Sequence, residues 1–269
     1  MKQTRSKKPK LIETPEIAPG RTLDGTPYVF QREKYKGELN VRELPWTPKQ
    51  KEIISLGLSK HCKALLIDGP AGSSKSIISM YCGLKLLSEK KVSDLQLCRS
   101  AVESADNSLG AIPGDVKDKM GVYASPFHEK LNELLIPSQV QALINDSRIN
   151  IIPPNYCRGL NWASKFVFIE EVQNFTCHQI ATCMTRLGEY SKCILAGDSD
   201  QSDLPKWKSG WEPCLELFDT EEARENGIYV VRFTEDDIMR SELCKFIVQS
   251  FKKLKQSQEQ VKDSWKPGN

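Results

Sequence analysis

The sequence predicts an α/β fold, in which a largely parallel β-sheet is flanked by helices on both faces. Strand-like and helix-like segments alternate along the chain from residue 63 to residue 254. Several of the strand-like segments, such as residues 166–169 and 193–196, are apolar throughout, which is typical of strands buried on both faces. With 269 residues, the chain can bury the core of one large α/β domain or of two small ones.

The elements are predicted in chain order from these patterns. Thr47 is a candidate N-cap and Pro48 a candidate first residue of a helix, so order is expected to begin near Trp46. Strands are predicted at residues 63–67, 95–98, 149–152, 166–169, 193–196 and 228–231. Further helices are predicted at residues 77–87, within 126–144, at 177–187 with Gly188 ending that helix, and within 238–254. The domain is therefore expected to span residues 45–254, between a flexible extension at 1–44 and a tail at 255–269.

Composition and charge exclude several classes of protein. The longest apolar runs fall well short of the ~20 residues that a membrane span needs, so no membrane partner is expected. The basic N-terminal run lacks the apolar segment of a secretory signal, and the odd number of nine cysteines without a CxxC pair favours free thiols. A cytoplasmic location is expected. The net charge of +3 is too small to imply a nucleic-acid partner by itself.

The segment at residues 65–76 predicts a phosphate-binding loop. An apolar run leads into small residues, then Lys75 and Ser76, then a helix-like segment, which is the layout of a P-loop. Backbone N–H groups of such a loop surround phosphate oxygens, Lys75 would neutralise the β- and γ-phosphates, and Ser76 would bind Mg²⁺. Ser74 stands where the pattern has Gly, and a positive φ there would cost about 1–3 kcal/mol, whereas a negative φ would cost little.

Two further loops follow apolar strands. Glu170 and Glu171 end one strand. Mg²⁺ could offset the charge of Glu170, and Glu171 could activate a water molecule. The alternative without a functional role is an exposed acidic pair at a strand end. The loop at residues 197–201 ends with Gln201, which can hydrogen-bond a phosphate or a water molecule, although this composition is common in turns.

Taken together, these motifs resemble the PhoH-like family, whose members are cytoplasmic P-loop ATPases related to the RecA-like core of superfamily-one helicases. The matching motifs lie at residues 69–76, 99–103, 109–110, 113–115, 157–159, 168–174, 185–188, 197–201, 203–205 and 231–234, the last together with Asp237 and Arg240. The resemblance covers residues 46–251. It implies ATP and Mg²⁺ as cofactors.

The resemblance also implies roles for individual residues. The P-loop residues that would bind ATP are Gly69, Pro70, Ala71, Gly72, Ser73, Ser74, Lys75 and Ser76. Glu170 stands where the family has the metal-binding Asp, Glu171 resembles the catalytic Glu, and Gln201 resembles the γ-phosphate sensor. Gln50 resembles the Gln that reads adenine. Ser241 stands where family members often have His.

Arginines and an aromatic segment suggest partners. An arginine near the γ-phosphate accelerates phosphoryl transfer, and the candidates are Arg158, Arg186 and Arg240. The first two are ranked higher because they lie in predicted loops or helix ends that border the proposed site. Each could instead be a surface or packing residue. Since the chain has one RecA-like lobe, a homo-oligomer that supplies an arginine in trans is expected. Residues 205–211 interleave Trp207 and Trp211 with lysines, as in platforms for single strands, although a structural role for both tryptophans is favoured.

The predicted function is therefore Mg²⁺-dependent ATP binding and hydrolysis, with coupling to RNA or single-stranded nucleic acid. A helicase or translocase motor acting on RNA is one alternative, and a nucleotide-sensing module that does not hydrolyse ATP is another. A small-molecule kinase is disfavoured, because the sequence contains no evident lid or acceptor site.

Overall fold

A computed structural model describes residues 35–99 and 116–264 of the chain. Six strands form one sheet in the order β3-β2-β4-β5-β1-β6, and every neighbouring pair is parallel. The strands are β1 (Ala64–Asp68), β2 (Asp94–Arg99), β3 (Ile149–Ile152), β4 (Lys165–Glu170), β5 (Lys192–Gly197) and β6 (Ile228–Arg232). The predicted α/β fold class with a largely parallel sheet is confirmed.

Helices cover both faces of this sheet. They are α1 (Pro48–Leu58), α2 (Lys75–Ser88), α3 (Val116–Leu134), α4 (Pro137–Asn145), α5 (Cys177–Met184), α6 (Trp211–Phe218), α7 (Glu221–Glu225) and α8 (Glu242–Ser264). Alternate residues of each strand enter two separate apolar cores, as the side-chain period of two requires. On β1, Leu65 and Ile67 pack with α1 to α4, whereas Ala64 and Leu66 pack with α5 and α6.

The start of α1 follows the predicted capping chemistry. Thr47 Oγ1 accepts a hydrogen bond from the Gln50 backbone N–H at 3.3 Å, and Pro48 is the first helical residue. Packing begins earlier than predicted, because Leu39 and Val41 are buried in the core and the Arg42 N–H donates to the Leu134 carbonyl at 2.8 Å.

Three predicted helix boundaries are wrong. Helix α3 begins at Val116, before the predicted region at 126–144. Helix α5 ends at Met184, with Thr185 as its C-cap, rather than at residue 187. Gly188 does not cap this helix; it is needed because a Cβ atom there would lie 2.7 Å from Asn161 Oδ1. The last helix begins at Glu242 and continues to Ser264, beyond the predicted end at residue 254.

Several predictions lie outside the described residues. These are the first 34 residues of the predicted extension, the motif residues 100–103, 109–110 and 113–115, and residues 265–269 of the predicted tail. Within the described residues, the structure contains no helix long and apolar enough to cross a membrane.

The topology determines where a ligand site can form. Because all six strands are parallel, their carboxyl ends meet at one edge of the sheet. The loops after β1, β4 and β5, which contain the P-loop, Glu171 and Gln201, therefore lie next to one another.

Candidate active site

The P-loop connects β1 to α2 through three residues with positive φ. These are Gly69 at +150°, Gly72 at +86° and Ser74 at +69°. Ser74 therefore adopts the left-handed conformation that favours glycine, and its side chain makes no capping hydrogen bond to the helix. The penalty predicted for a positive φ consequently applies at Ser74.

The Lys75 ammonium group is folded back onto the loop. Its Nζ donates to the carbonyl oxygens of Gly69 at 2.6 Å and of Pro70 at 2.9 Å. Burial lowers the pKa of Lys75, and the negative charge of Asp198 is the largest effect that opposes this shift. The loop thus holds a desolvated cation at the start of α2. The helix dipole is positive at this end, so the cation and the dipole both favour a bound anion.

Ser76 and Glu170 form the second part of the site. The Ser76 hydroxyl donates to Glu170 Oε1, and Glu170 Oε2 lies 3.4 Å from Arg99 Nη1. Glu170 is only 9% exposed, and burial raises its pKa, while the hydrogen bond from Ser76 opposes the rise. A hydroxyl and a carboxylate in contact fit Mg²⁺, which takes oxygen ligands and is bound by few protein groups together with phosphates. Among the described residues, no group of three or more His, Cys, Asp or Glu side chains could hold a metal ion.

Glu171 is held in place on both sides. Its φ of +58° is strained for a non-glycine residue, and such strain recurs at functional sites. Glu171 Oε2 accepts a hydrogen bond from Gln173 Nε2 at 2.6 Å, and its Oε1 lies 3.5 Å from Arg99 Nη2. Gln173 is itself fixed, because its Oε1 accepts from the Asp198 backbone N–H at 3.1 Å.

These groups line one cavity of about 260 Å³. The predicted residues whose side chains or backbone line it are Ala71, Gly72, Lys75, Ser76, Glu170, Glu171, Gln201 and Arg240. Polar residues that the site prediction omitted also line it, namely Arg99, Glu129, Lys130, Gln173 and Asp198. The cavity therefore brings cations, carboxylates and the P-loop together.

Of the three candidate arginines, the structure brings only Arg240 to this cavity. A Cβ atom on Gly72 would lie 3.3 Å from Arg240 Cγ and Cδ, so this side chain packs directly on the P-loop. Arg158 Nη2 lies 3.4 Å from His178 Nε2, and Arg186 Nη2 donates to Thr185 Oγ1 at 3.4 Å. Neither of these two lines the cavity of its own chain.

Gln50 lies outside the cavity. It is 3% exposed, and its Oε1 accepts from the Thr47 N–H at 3.0 Å as part of the capping box of α1. The carboxamide oxygen expected to read adenine is thus used to cap a helix.

A second buried network joins the P-loop to the loop after β5. Asp68, the last residue of β1, accepts hydrogen bonds through Oδ1 from Ser199 Oγ and from Trp211 Nε1, both at 2.8 Å. Trp211 is fully buried, which confirms the structural role predicted for it. Trp207 is 80% exposed, so the structural role predicted for it is wrong.

Comparisons with known proteins identify a family for this chain. The profile of the PhoH-like protein family matches residues 44–252. A PhoH-like protein of Synechocystis sp. is 31% identical over 208 residues, covering 77% of this chain and 61% of the relative. A PhoH-like protein of Bacillus subtilis is 33% identical over 186 residues, covering 69% and 57% of the two chains. This chain thus spans about three fifths of the length of these relatives.

The chain is also similar to a solved structure. The large terminase from a thermophilic bacteriophage aligns with a TM-score of 0.47 and 13% sequence identity. The alignment covers 77% of this chain and 50% of the terminase.

Proposed function

Because the chain belongs to the PhoH-like family, we propose that it binds ATP with Mg²⁺ at the P-loop and hydrolyses the γ-phosphate bond. One observation carries this proposal: Lys75, the Ser76–Glu170 pair and Glu171 line the same cavity. Family membership supports a P-loop protein that binds nucleotides. The hydrolytic activity is our inference from the side chains in the cavity.

Each group has a role that its position supports. The backbone N–H groups of residues 71–76 would surround the phosphates, and Lys75 would exchange its two carbonyl contacts for phosphate oxygens. Ser76 and Glu170 would hold Mg²⁺, which supplies charge stabilisation for phosphoryl transfer when it is bound. Arg240 would contact the phosphates from its position on Gly72.

Glu171 would take the proton of the attacking water molecule, and Gln201 would orient that water. Both carboxylate oxygens of Glu171 have partners in this structure, Arg99 and Gln173. An attacking water molecule would compete with these contacts for the lone pairs of the carboxylate. This competition favours slow basal hydrolysis that a further ligand accelerates.

The same observation supports a second candidate function. A site that binds ATP while its catalytic carboxylate stays engaged would act as a nucleotide sensor without turnover. The strained Ser74 and the Glu170–Ser76 hydrogen bond are compatible with both functions.

We also propose the wider setting of this activity. Trp207 beside Lys208 supports RNA or another single-stranded nucleic acid as a partner, which a helicase or translocase motor would also require. Assembly of several copies would let Arg158 or Arg186 reach a neighbouring site, since neither lines the cavity of its own chain. We propose a cytoplasmic location and an ATPase domain at residues 45–254.

Phosphate release from ATP tests hydrolysis directly. We expect Mg²⁺-dependent release by the wild type and a fall of about 10²–10⁴-fold in Glu171→Gln, because a general base contributes this much. Glu189→Gln, which changes an exposed glutamate outside the cavity, is the matched control and should keep the wild-type rate. ATP binding without release by the wild type would favour the sensor instead.

A further inference from the structure

An exposed turn between β5 and α6 presents an aromatic ring to solvent. The Lys208 N–H donates to the Pro205 carbonyl at 2.7 Å, which closes a turn over residues 205–208. Trp207 occupies the turn with 80% of its surface exposed, and Lys208 Nζ lies 5.1 Å from the centre of its ring. Lys206 precedes it in the same turn. A large ring is therefore held outside the core next to lysine charge.

Buried hydrogen bonds connect this turn to the catalytic carboxylate through Gln173. The Gln173 carbonyl accepts from Ser202 Oγ at 2.9 Å and from Ser209 Oγ at 2.8 Å, so both flanks of the turn are tied to it. The Gln173 side chain donates to Glu171 Oε2 at 2.6 Å. Since Gln173 is only 2% exposed, water does not substitute for these contacts.

The flanks of the turn are also tied to the residues after Gln173. Asn174 Nδ2 donates to Asp203 Oδ2 at 2.9 Å, and the Asp203 N–H donates back to Asn174 Oδ1 at 2.8 Å. The Gly210 N–H donates to the Phe175 carbonyl at 2.7 Å. Because these hydrogen bonds connect the two segments at several points, a displacement of residues 202–210 would also move the segment that follows Glu171.

We propose that the turn at residues 205–208 binds single-stranded nucleic acid by stacking a base on Trp207, and that Gln173 couples this binding to Glu171. Only the coupling to Glu171 rests on the proposed ATPase function; the binding of a single strand does not. A single strand fits best because its bases expose flat faces that a duplex hides, while its phosphates pair with lysine. In this scheme Gln173 is a positioning residue, whose shift would loosen its hydrogen bond to Glu171.

Binding is tested with two fluorescent probes that carry the same number of phosphates. One is an oligothymidylate of about 15 nucleotides, which spans a typical single-strand site, and the other is its abasic analogue. For the wild type, the abasic probe should bind about tenfold more weakly in fluorescence anisotropy, because stacking contributes about 1–3 kcal/mol per base. Trp207→Ala should bind both probes equally, at the weaker level.

The matched control is Tyr190→Ala, which removes another exposed aromatic ring, 69% exposed, close to the amino end of β5. It should preserve the wild-type preference for the base-bearing probe. Equal binding of both probes by the wild type, or an unchanged preference in Trp207→Ala, would overturn the proposal. Displacement of the probe by polyaspartate as effectively as by oligothymidylate would also overturn it, since the surface would then serve acidic polypeptides.

Coupling is tested by phosphate release with and without saturating oligothymidylate. The double variant Ser202→Ala/Ser209→Ala should bind the probe within about threefold of the wild type, yet lose most of the stimulation of kcat by the oligonucleotide. Ser250→Ala, which removes a comparable bond from Ser250 Oγ to the Phe246 carbonyl in α8, should retain it. Full stimulation in the double variant would refute coupling through Gln173. If the wild type releases no phosphate at all, the ATPase proposal fails, whereas the anisotropy comparison still decides the binding surface.

Discussion

Ser74 gives the prediction that depends most directly on backbone geometry. Its φ of +69° is left-handed, which costs a non-glycine residue about 1–2 kcal/mol. Ser74→Gly removes this strain, while the greater freedom of glycine in the unfolded chain costs about 0.4–1 kcal/mol. We therefore expect the free energy of unfolding to rise by about 0.5–1 kcal/mol, which corresponds to about 1–4 °C in Tm for a domain of this size.

Urea denaturation and thermal unfolding of the nucleotide-free protein measure this change. Ser74→Ala is the first control, because it keeps the strained φ and removes a hydroxyl that makes no capping bond; its stability should stay near that of the wild type. Ser147→Gly is the second, since the exposed Ser147 has a φ of +51° outside the cavity and should gain stability without affecting nucleotide binding. An unchanged or lower stability of Ser74→Gly would refute the strain argument.

Two further predictions concern the same edge of the sheet. Burial raises the pKa of Glu170 above its ordinary value of 4.5. The stability that this side chain contributes is therefore present below pH 4.5 and is lost as the pH rises through the raised pKa. Measured from pH 4.5 upward, the Tm of Glu170→Gln should rise relative to that of the wild type. A difference in Tm that does not change with pH would contradict this. Gly197→Ala should lower the free energy of unfolding by about 2 kcal/mol in urea, because its Cβ would lie 2.6 Å from Trp211 Nε1 in a packed core. Wild-type stability would show that the contact with Trp211 can relax.

The sheet was predictable because its strands are buried on both faces. Continuous apolar runs are visible in a single sequence, so each predicted strand lies within about one residue of the observed one, and β3 matches at both ends. The P-loop, Glu170 and Glu171 were predictable for a related reason: polar residues that directly follow buried strands gather at the carboxyl edge of a parallel sheet.

Arg99 belongs to the motif at residues 99–103, but the sequence did not predict a role for it in the site. It ends β2 at the same edge of the sheet and pairs with Glu170 and Glu171. The polar residue after an apolar strand was the signal that could have found it. Asp68 carries the same signal, because it directly follows the apolar residues 65–67, whereas Gln173 does not. Their partners Ser209 and Trp211 lie far along the chain, so these contacts exist only once the sheet has assembled.

Gln50 illustrates two readings of one pattern. The sequence Thr47-x-x-Gln50 before an apolar segment is also that of a capping box, in which each side chain bonds the backbone of the other residue. The structure uses the carboxamide oxygen for this local bond. The φ of Ser74 could not be predicted, because the serine conformation is imposed by the path of the loop between β1 and α2.

Equilibrium binding of a fluorescent ATP analogue in the presence of Mg²⁺ is the most direct test that the P-loop is a nucleotide site. Saturable binding by the wild type should be competed by ATP. It should be abolished or strongly weakened in Lys75→Ala, because Lys75 is the half-buried cation of the loop. Equal affinity of the wild type and Lys75→Ala, or no competition by ATP, would contradict the assignment of this cavity to nucleotide binding.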